Sequence, residues 1–140
     1  MARNRKLRGP RVGGGKHLKP PSPPAKGSTQ HLRPIFSLEH LDREYCLSRC
    51  EQDEKAAFAD TLHRLSRLTW QEIVNAPRHG TGCEKIARHS IRGRIPSVVT
   101  DDVNIIALRF QGTKAMVGFR DDQIFHVVWL DRSFTLYRHG

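Results

Sequence analysis

Seven polar side chains gather near the C-terminal end of this chain in a combination that could act on a phosphodiester. Residues 103–140 contain Arg109, Lys114, Arg120, Arg132, Tyr137, Arg138 and His139. Guanidiniums stay charged and present forked donors, so Arg109 and Arg120 suit stabilisation of charge developing on phosphorus. An imidazole titrates near neutrality, which suits His139 to general acid or base work. Tyr137 could stack on a base or donate a hydrogen bond. Lys114 and Arg138 add positive charge beside them, as RNA-binding groups. The same arginines serve equally as surface ion-pair partners, their most frequent fate.

These residues need a scaffold, and the pattern around them reads as an antiparallel meander. Strands are expected over residues 103–110, 114–120 and 123–130. Gln111-Gly112-Thr113 forms the first hairpin loop, with Gly112 at positive φ. Asp121-Asp122 forms the second turn, because Asp tolerates the left-handed region. Phe125, Val127 and Trp129 alternate with Ile124, His126, Val128 and Leu130, so the third strand is apolar on both faces and central. His126 reads as a satisfied sheet histidine. Pleating places Arg109 on the face of Ile105 and Ala107. Residues 85–91 suit a short edge strand whose charges blunt the edge.

Two helices precede the meander. Ser48-Arg49-Cys50-Glu51 is a capping-box pattern that opens a helix over residues 49–68, with Phe58, Leu62 and Leu65 at helical spacing. Thr69-Trp70-Gln71-Glu72 is a second capping box, opening a helix over residues 70–76 that Pro77 stops. The loop from Pro77 to Gly82 lacks the spacing of a P-loop, so nucleotide binding has no support. The expected fold is α+β: two N-terminal helices packed on an antiparallel β-meander of three to five strands, preceded by a disordered basic tail.

The tail occupies residues 1–35 and the domain residues 36–140. The tail holds Arg3, Arg5, Lys6, Arg8, Arg11, Lys16, Lys19, Lys26 and Arg33, with no Asp or Glu. The formal net charge is +10, yet residues 36–140 carry 15 Lys/Arg against 14 Asp/Glu, so the excess lies in the tail. Its prolines, glycines and few large apolar groups cannot offset ordering entropy by burial. Such an arm either binds nucleic acid through counterion release or serves as a solubilising leader. No apolar run near Met1 resembles a secretory signal, and none approaches a membrane span, so a cytoplasmic location is expected. Cys46, Cys50 and Cys83 do not form an even disulfide framework, which fits a reducing compartment. Cys46, Cys50, His79 and Cys83 have poor spacing for zinc, so neither a metal nor a cofactor is expected.

Leu108-Arg109-Phe110, Met116-Val117-Gly118-Phe119-Arg120, the run from Asp122 to Asp131 and Leu136-Tyr137 together resemble the ending of the RelE/ParE-like toxin superfamily. Leu68-Thr69-Trp70 and Trp129-Leu130-Asp131 are also similar to segments of a group of bacterial proteins. The superfamily resemblance covers residues 51–139. It implies a toxin of a toxin-antitoxin system, an endoribonuclease acting on mRNA, often on the ribosome, and neutralised by a cognate antitoxin protein. Under it Arg109 and Arg120 stabilise the phosphate, and Tyr137 and His139 lie near the reacting sugar-phosphate. The long basic leader and the Asp131-Arg132-Ser133-Phe134 segment depart from that pattern. The alternatives are a non-catalytic RNA- or ribosome-associated module that binds through its tail, and an interaction protein whose basic residues form ion pairs.

Overall fold

The computed structural model describes residues 29–77 and 79–138. Arg3, Arg5, Lys6, Arg8, Arg11, Lys16, Lys19, Lys26, Arg78 and His139 lie outside them. The fold is α+β, with one five-stranded mixed sheet and two helices. The strands are β1 (Ile35–Ser37), β2 (Glu84–Ile86), β3 (Ile105–Gln111), β4 (Lys114–Asp121) and β5 (Ile124–Asp131), in the spatial order β1-β5-β4-β3-β2. Helix α1 spans Gln52–Leu65 and α2 spans Trp70–Asn75. Strands β3, β4 and β5 form the meander, and β2 pairs antiparallel with β3. Among the described residues no helix is long and apolar enough to cross a membrane.

The sheet is mixed because β1 runs parallel to β5, with Ile35 opposite Ile124 and Ser37 opposite His126. Residues 29–35, expected in the tail, therefore belong to the folded body. Trp70 N–H donates to Leu32 O at 2.9 Å and Gln71 N–H to Gln30 O at 2.9 Å. A three-residue strand is too short to show a period, so β1 left no signal in the pattern. It also makes β4 the middle strand; β5 is interior but one place off centre.

Both hairpin turns form as their residue types require. Gly112 has φ 58° and Asp122 φ 54°. Helix α2 has its expected cap: Glu72 N–H donates to Thr69 Oγ1 at 3.2 Å, and Thr69 N–H to Glu72 Oε1 at 2.9 Å. The cap of α1 lies three residues beyond the expected one. Leu47–Arg49 forms a 3-10 turn instead, and Glu51 N–H donates to Glu54 Oε1 at 2.7 Å. The carboxylate of Glu54 decides the matter, because the sheet also holds it. Lys114 Nζ lies 2.7 Å from Glu54 Oε2, and Arg132 Nε 2.6 Å from Oε1. Burial by itself raises the pKa of this carboxyl, but hydrogen bonds from Arg132, Lys114 and the Glu51 backbone bring it down to about 2.

Each face of the sheet carries its own core. Phe58, Leu65, Trp70 and Ile73 of the helices cluster with Leu108, Phe110, Met116, Phe125, Val127 and Leu130. On the far side Ile105, Ala107, Val117, Phe119, Val128 and Trp129 cluster with Val99, Leu136 and Tyr137. Simple alternation along β5 therefore fails: Leu130 shares the face of Phe125 and Val127, and Trp129 faces away. The cause is a β-bulge. Val117 pairs with Trp129 and Gly118 with Val127, which leaves Val128 as the extra residue and shifts parity beyond it. Gly118 permits this, since a Cβ there would lie 1.8 Å from His126 O.

Beyond β5 the chain turns back on itself. Asp131, fully buried, accepts through Oδ1 from Thr135 N–H at 2.9 Å and Leu136 N–H at 3.2 Å. Phe134 takes φ 59°, and the chain folds back to bury Leu136 and Tyr137.

Two stability outcomes follow. Gly118→Ala drives a methyl into backbone, so denaturant melts should show at least the ~1–3 kcal/mol loss typical of overpacking; an unchanged midpoint contradicts the bulge. Glu54 has a depressed pKa, so its contribution is complete above the ordinary value of 4.5 and is lost as pH falls through about 2. The full contribution amounts to roughly 3 kcal/mol. Acid titration of the melt should show this loss in the wild type, and Glu54→Gln should flatten that part of the profile.

Candidate nucleic-acid interface

The bulge in β5 positions more than the core. Val128 has no partner on β4, and its carbonyl accepts from Asp42 N–H at 2.7 Å. This bond anchors the stretch after β1 over the face that lacks helices. Asp42 then caps a 3-10 turn, Arg43–Tyr45, with Oδ1 accepting from Glu44 N–H at 2.8 Å. The opposing wall is residues 92–97, tied down where Arg92 N–H donates to Leu136 O at 2.7 Å. Ile91 and Ile95 pack into the core beneath this wall.

Gly93 lets the two walls approach. A Cβ at Gly93 would lie 3.1 Å from Leu136, 3.3 Å from the Trp129 indole nitrogen and 3.4 Å from the Tyr45 ring. The Trp129 N–H is buried and has no hydrogen-bond partner among the described residues. Between the walls lies a cleft of about 910 Å³, lined by His40, Arg43, Tyr45, Arg92, Gly93 and Arg94 together with Asp42, Glu44 and Ser97. Among the described residues, no ion pair or side-chain hydrogen bond holds the guanidiniums of Arg43, Arg92 or Arg94. Asp42 is committed to its turn, which leaves Glu44 as the cleft's other carboxylate.

The residues singled out from sequence do not share this site. Arg109 pairs across the ladder with Ala115, on the far face, and its side chain lies over Gly82, where a Cβ would come within 2.4 Å. Arg120 is on the helix face. Its guanidinium stacks 4.2 Å from the Trp70 ring, and donates to Asp122 O at 2.6 Å, to Thr29 Oγ1 at 2.8 Å and to Gln30 Oε1. Ala115, opposite Arg109, and Arg120 lie five positions apart on β4, roughly 17 Å of strand. Arg109 and Arg120 therefore do not share one phosphate site. Tyr137 is 5% exposed and packs in the far-face core. Lys114 is committed to Glu54. Arg33 and Arg138 are exposed, and His139 and the eight basic positions before residue 28 lie outside the described residues.

Burial pushes the thiols of Cys50 and Cys83 up, away from the thiolate form, while the backbone N–H of Ser48 draws Cys46 down. No group that includes Cys46, Cys50, His79 or Cys83 gathers as ligands among the described residues. His126 differs from the satisfied sheet histidine expected: its Nδ1 is buried and has no hydrogen-bond partner among the described residues, and its ring stacks on Phe119 at 4.7 Å.

The sequence pattern did hold a trace of the cleft. Ile91-Arg92-Gly93-Arg94-Ile95 places two cations around a glycine between two core anchors, which marks a backbone held down with charge projecting outward. Arg43 carried no such mark between Asp42 and Glu44. No family model, curated protein or solved structure matches the chain.

Arg120 is thus a structural cation. Arg120→Ala should lower stability by about 1–3 kcal/mol, the range for charged hydrogen bonds and a cation–π contact. A melt that stays at the wild-type midpoint would show that its three acceptors and Trp70 contribute nothing.

Proposed function

We propose that this protein is a non-catalytic RNA-binding module that holds single-stranded RNA by its phosphates in the arginine cleft. The observation that carries the reading is the lining of one cleft by three arginines, Arg43, Arg92 and Arg94, whose guanidiniums have no ion pair or side-chain hydrogen bond among the described residues, whereas Lys114, Arg120 and Arg132 are committed to carboxylates, carbonyls or a ring. Unpaired forked donors suit phosphate oxygens. His40 and Tyr45 in the same lining supply rings on which a base can stack. The nine Lys/Arg of residues 1–35 add a sequence-independent electrostatic arm.

The RelE/ParE-like reading makes the protein an endoribonuclease with an antitoxin partner. It draws less support, because Arg109 and Arg120 are apart and Tyr137 is a core side chain.

Affinity for a single-stranded RNA oligonucleotide as a function of salt tests the proposal. Full-length protein should bind with a steep salt dependence. Replacing Arg43, Arg92 and Arg94 together by Ala should flatten the slope by about 2, since each phosphate contact contributes about 0.7. An unchanged slope in the triple variant would remove the cleft from the account. Time-dependent scission of the oligonucleotide by wild type would favour the ribonuclease instead.

A further inference from the structure

We propose that Glu39, His40 and His126 form a binding site for a divalent transition-metal ion at the edge of the arginine cleft. One ligand atom from each of the three side chains lies within 4.8 Å of the others. The His40 and His126 rings are 5.3 Å apart, and His40 Nε2 is 3.9 Å from Glu39 Oε2. Bond lengths near 2.0–2.2 Å place the ligands of one ion about 3 Å apart, so small rotations of the outer side chains complete the site. The Glu39 side chain is 69% exposed and is free to make that movement.

The fixed element is His126. It sits on β5 between β1 and β4, opposite Ser37 on one side and Phe119 on the other. Stacking on Phe119, with planes 17° apart, holds the ring. Its Nδ1 is buried and has no hydrogen-bond partner among the described residues, so this imidazole has a nitrogen whose bonding capacity the protein does not use. His40 and Glu39 arrive on the stretch between β1 and Asp42, which the Val128 carbonyl anchors.

Donor chemistry names the class of ion. Two imidazoles and one carboxylate suit zinc or a neighbouring first-row divalent metal, whereas magnesium and calcium prefer all-oxygen sets. Three protein ligands leave positions open to water or a phosphate oxygen. His40 also lines the cleft, so those positions adjoin Arg43, Arg92 and Arg94. The two cores are assembled from apolar side chains, with His126 and His40 meeting one of them only at Phe119, so the ion binds a protein that folds by apolar burial. The site stands on these three side chains and does not depend on RNA binding.

Cobalt titration of metal-stripped full-length protein tests the site. One equivalent of Co2+ should bind and produce visible d–d absorption without a thiolate charge-transfer band, and Zn2+ should displace it. His40→Ala and Glu39→Gln alter partly exposed turn residues, and each should weaken binding at least as much as the 10–100-fold typical of a lost supporting group. Their metal-free melts should match wild type, which keeps the result clear of folding defects. His126→Ala should abolish binding. Absence of saturable Co2+ and Zn2+ binding overturns the proposal. So does affinity unchanged in both turn variants, or a thiolate band that places the ion on Cys46, Cys50 or Cys83.

Discussion

One bulge in β5 sets the geometry on which the far side of this protein depends. Gly118 has no Cβ, so the backbone at His126 can come closer than any other residue would allow. The ladder then skips Val128, and two consequences follow from that single residue. Parity changes, which sends Leu130 to the helix side and Trp129 to the other. A carbonyl also becomes available, and Asp42 takes it. The cleft wall that carries His40, Arg43 and Tyr45 therefore hangs from a defect in the sheet. This agrees with the general tendency of bulges to lie beside sites, where they redirect side chains.

The helix side is organised around charge. Glu54 caps its own helix and accepts from Lys114 at the β3–β4 hairpin and from Arg132 just beyond β5. A buried carboxylate tolerates this position because three donors replace its water. Thr61 adds a hydroxyl bond of 3.1 Å to Phe110 O, beside the register shift that follows Arg109. Trp70 reaches Gln123 O at 3.0 Å through its indole nitrogen and lies under Arg120. Lys114, Arg120 and Arg132 are therefore structural cations on this side, whereas Lys55 and Arg64 of α1 are exposed.

Local chemistry was legible in the sequence, and tertiary geometry was not. Gly112, Asp122, Thr69 and Glu72 each announce their role through residue type, and the structure places them accordingly. The meander showed itself through alternation in three adjacent strands. Strand β1 did not, because three residues carry no period and its partner β5 is some ninety positions away. The start of α1 misled because Ser48 and Glu51 satisfy the capping pattern locally, while Glu54 is claimed by two distant cations. Arg109 and Arg120 looked like neighbours because both sit at strand ends; odd and even positions on one ladder put them on opposite faces. The Arg92-Gly93-Arg94 wall was readable only in part, since its meaning depends on Leu136 returning from the C-terminus to hold it.

The proposed RNA-binding function places the contact on the face formed by the Asp42 turn and residues 92–97. Backbone chemical-shift mapping of the full-length protein with a single-stranded RNA oligonucleotide measures that location directly. The account predicts the largest perturbations at residues 40–45 and 92–97, with the β4 and α2 amides around Arg120 and Trp70 unmoved. Perturbations centred on Arg109, Arg120 and Tyr137, with the cleft silent, would contradict it.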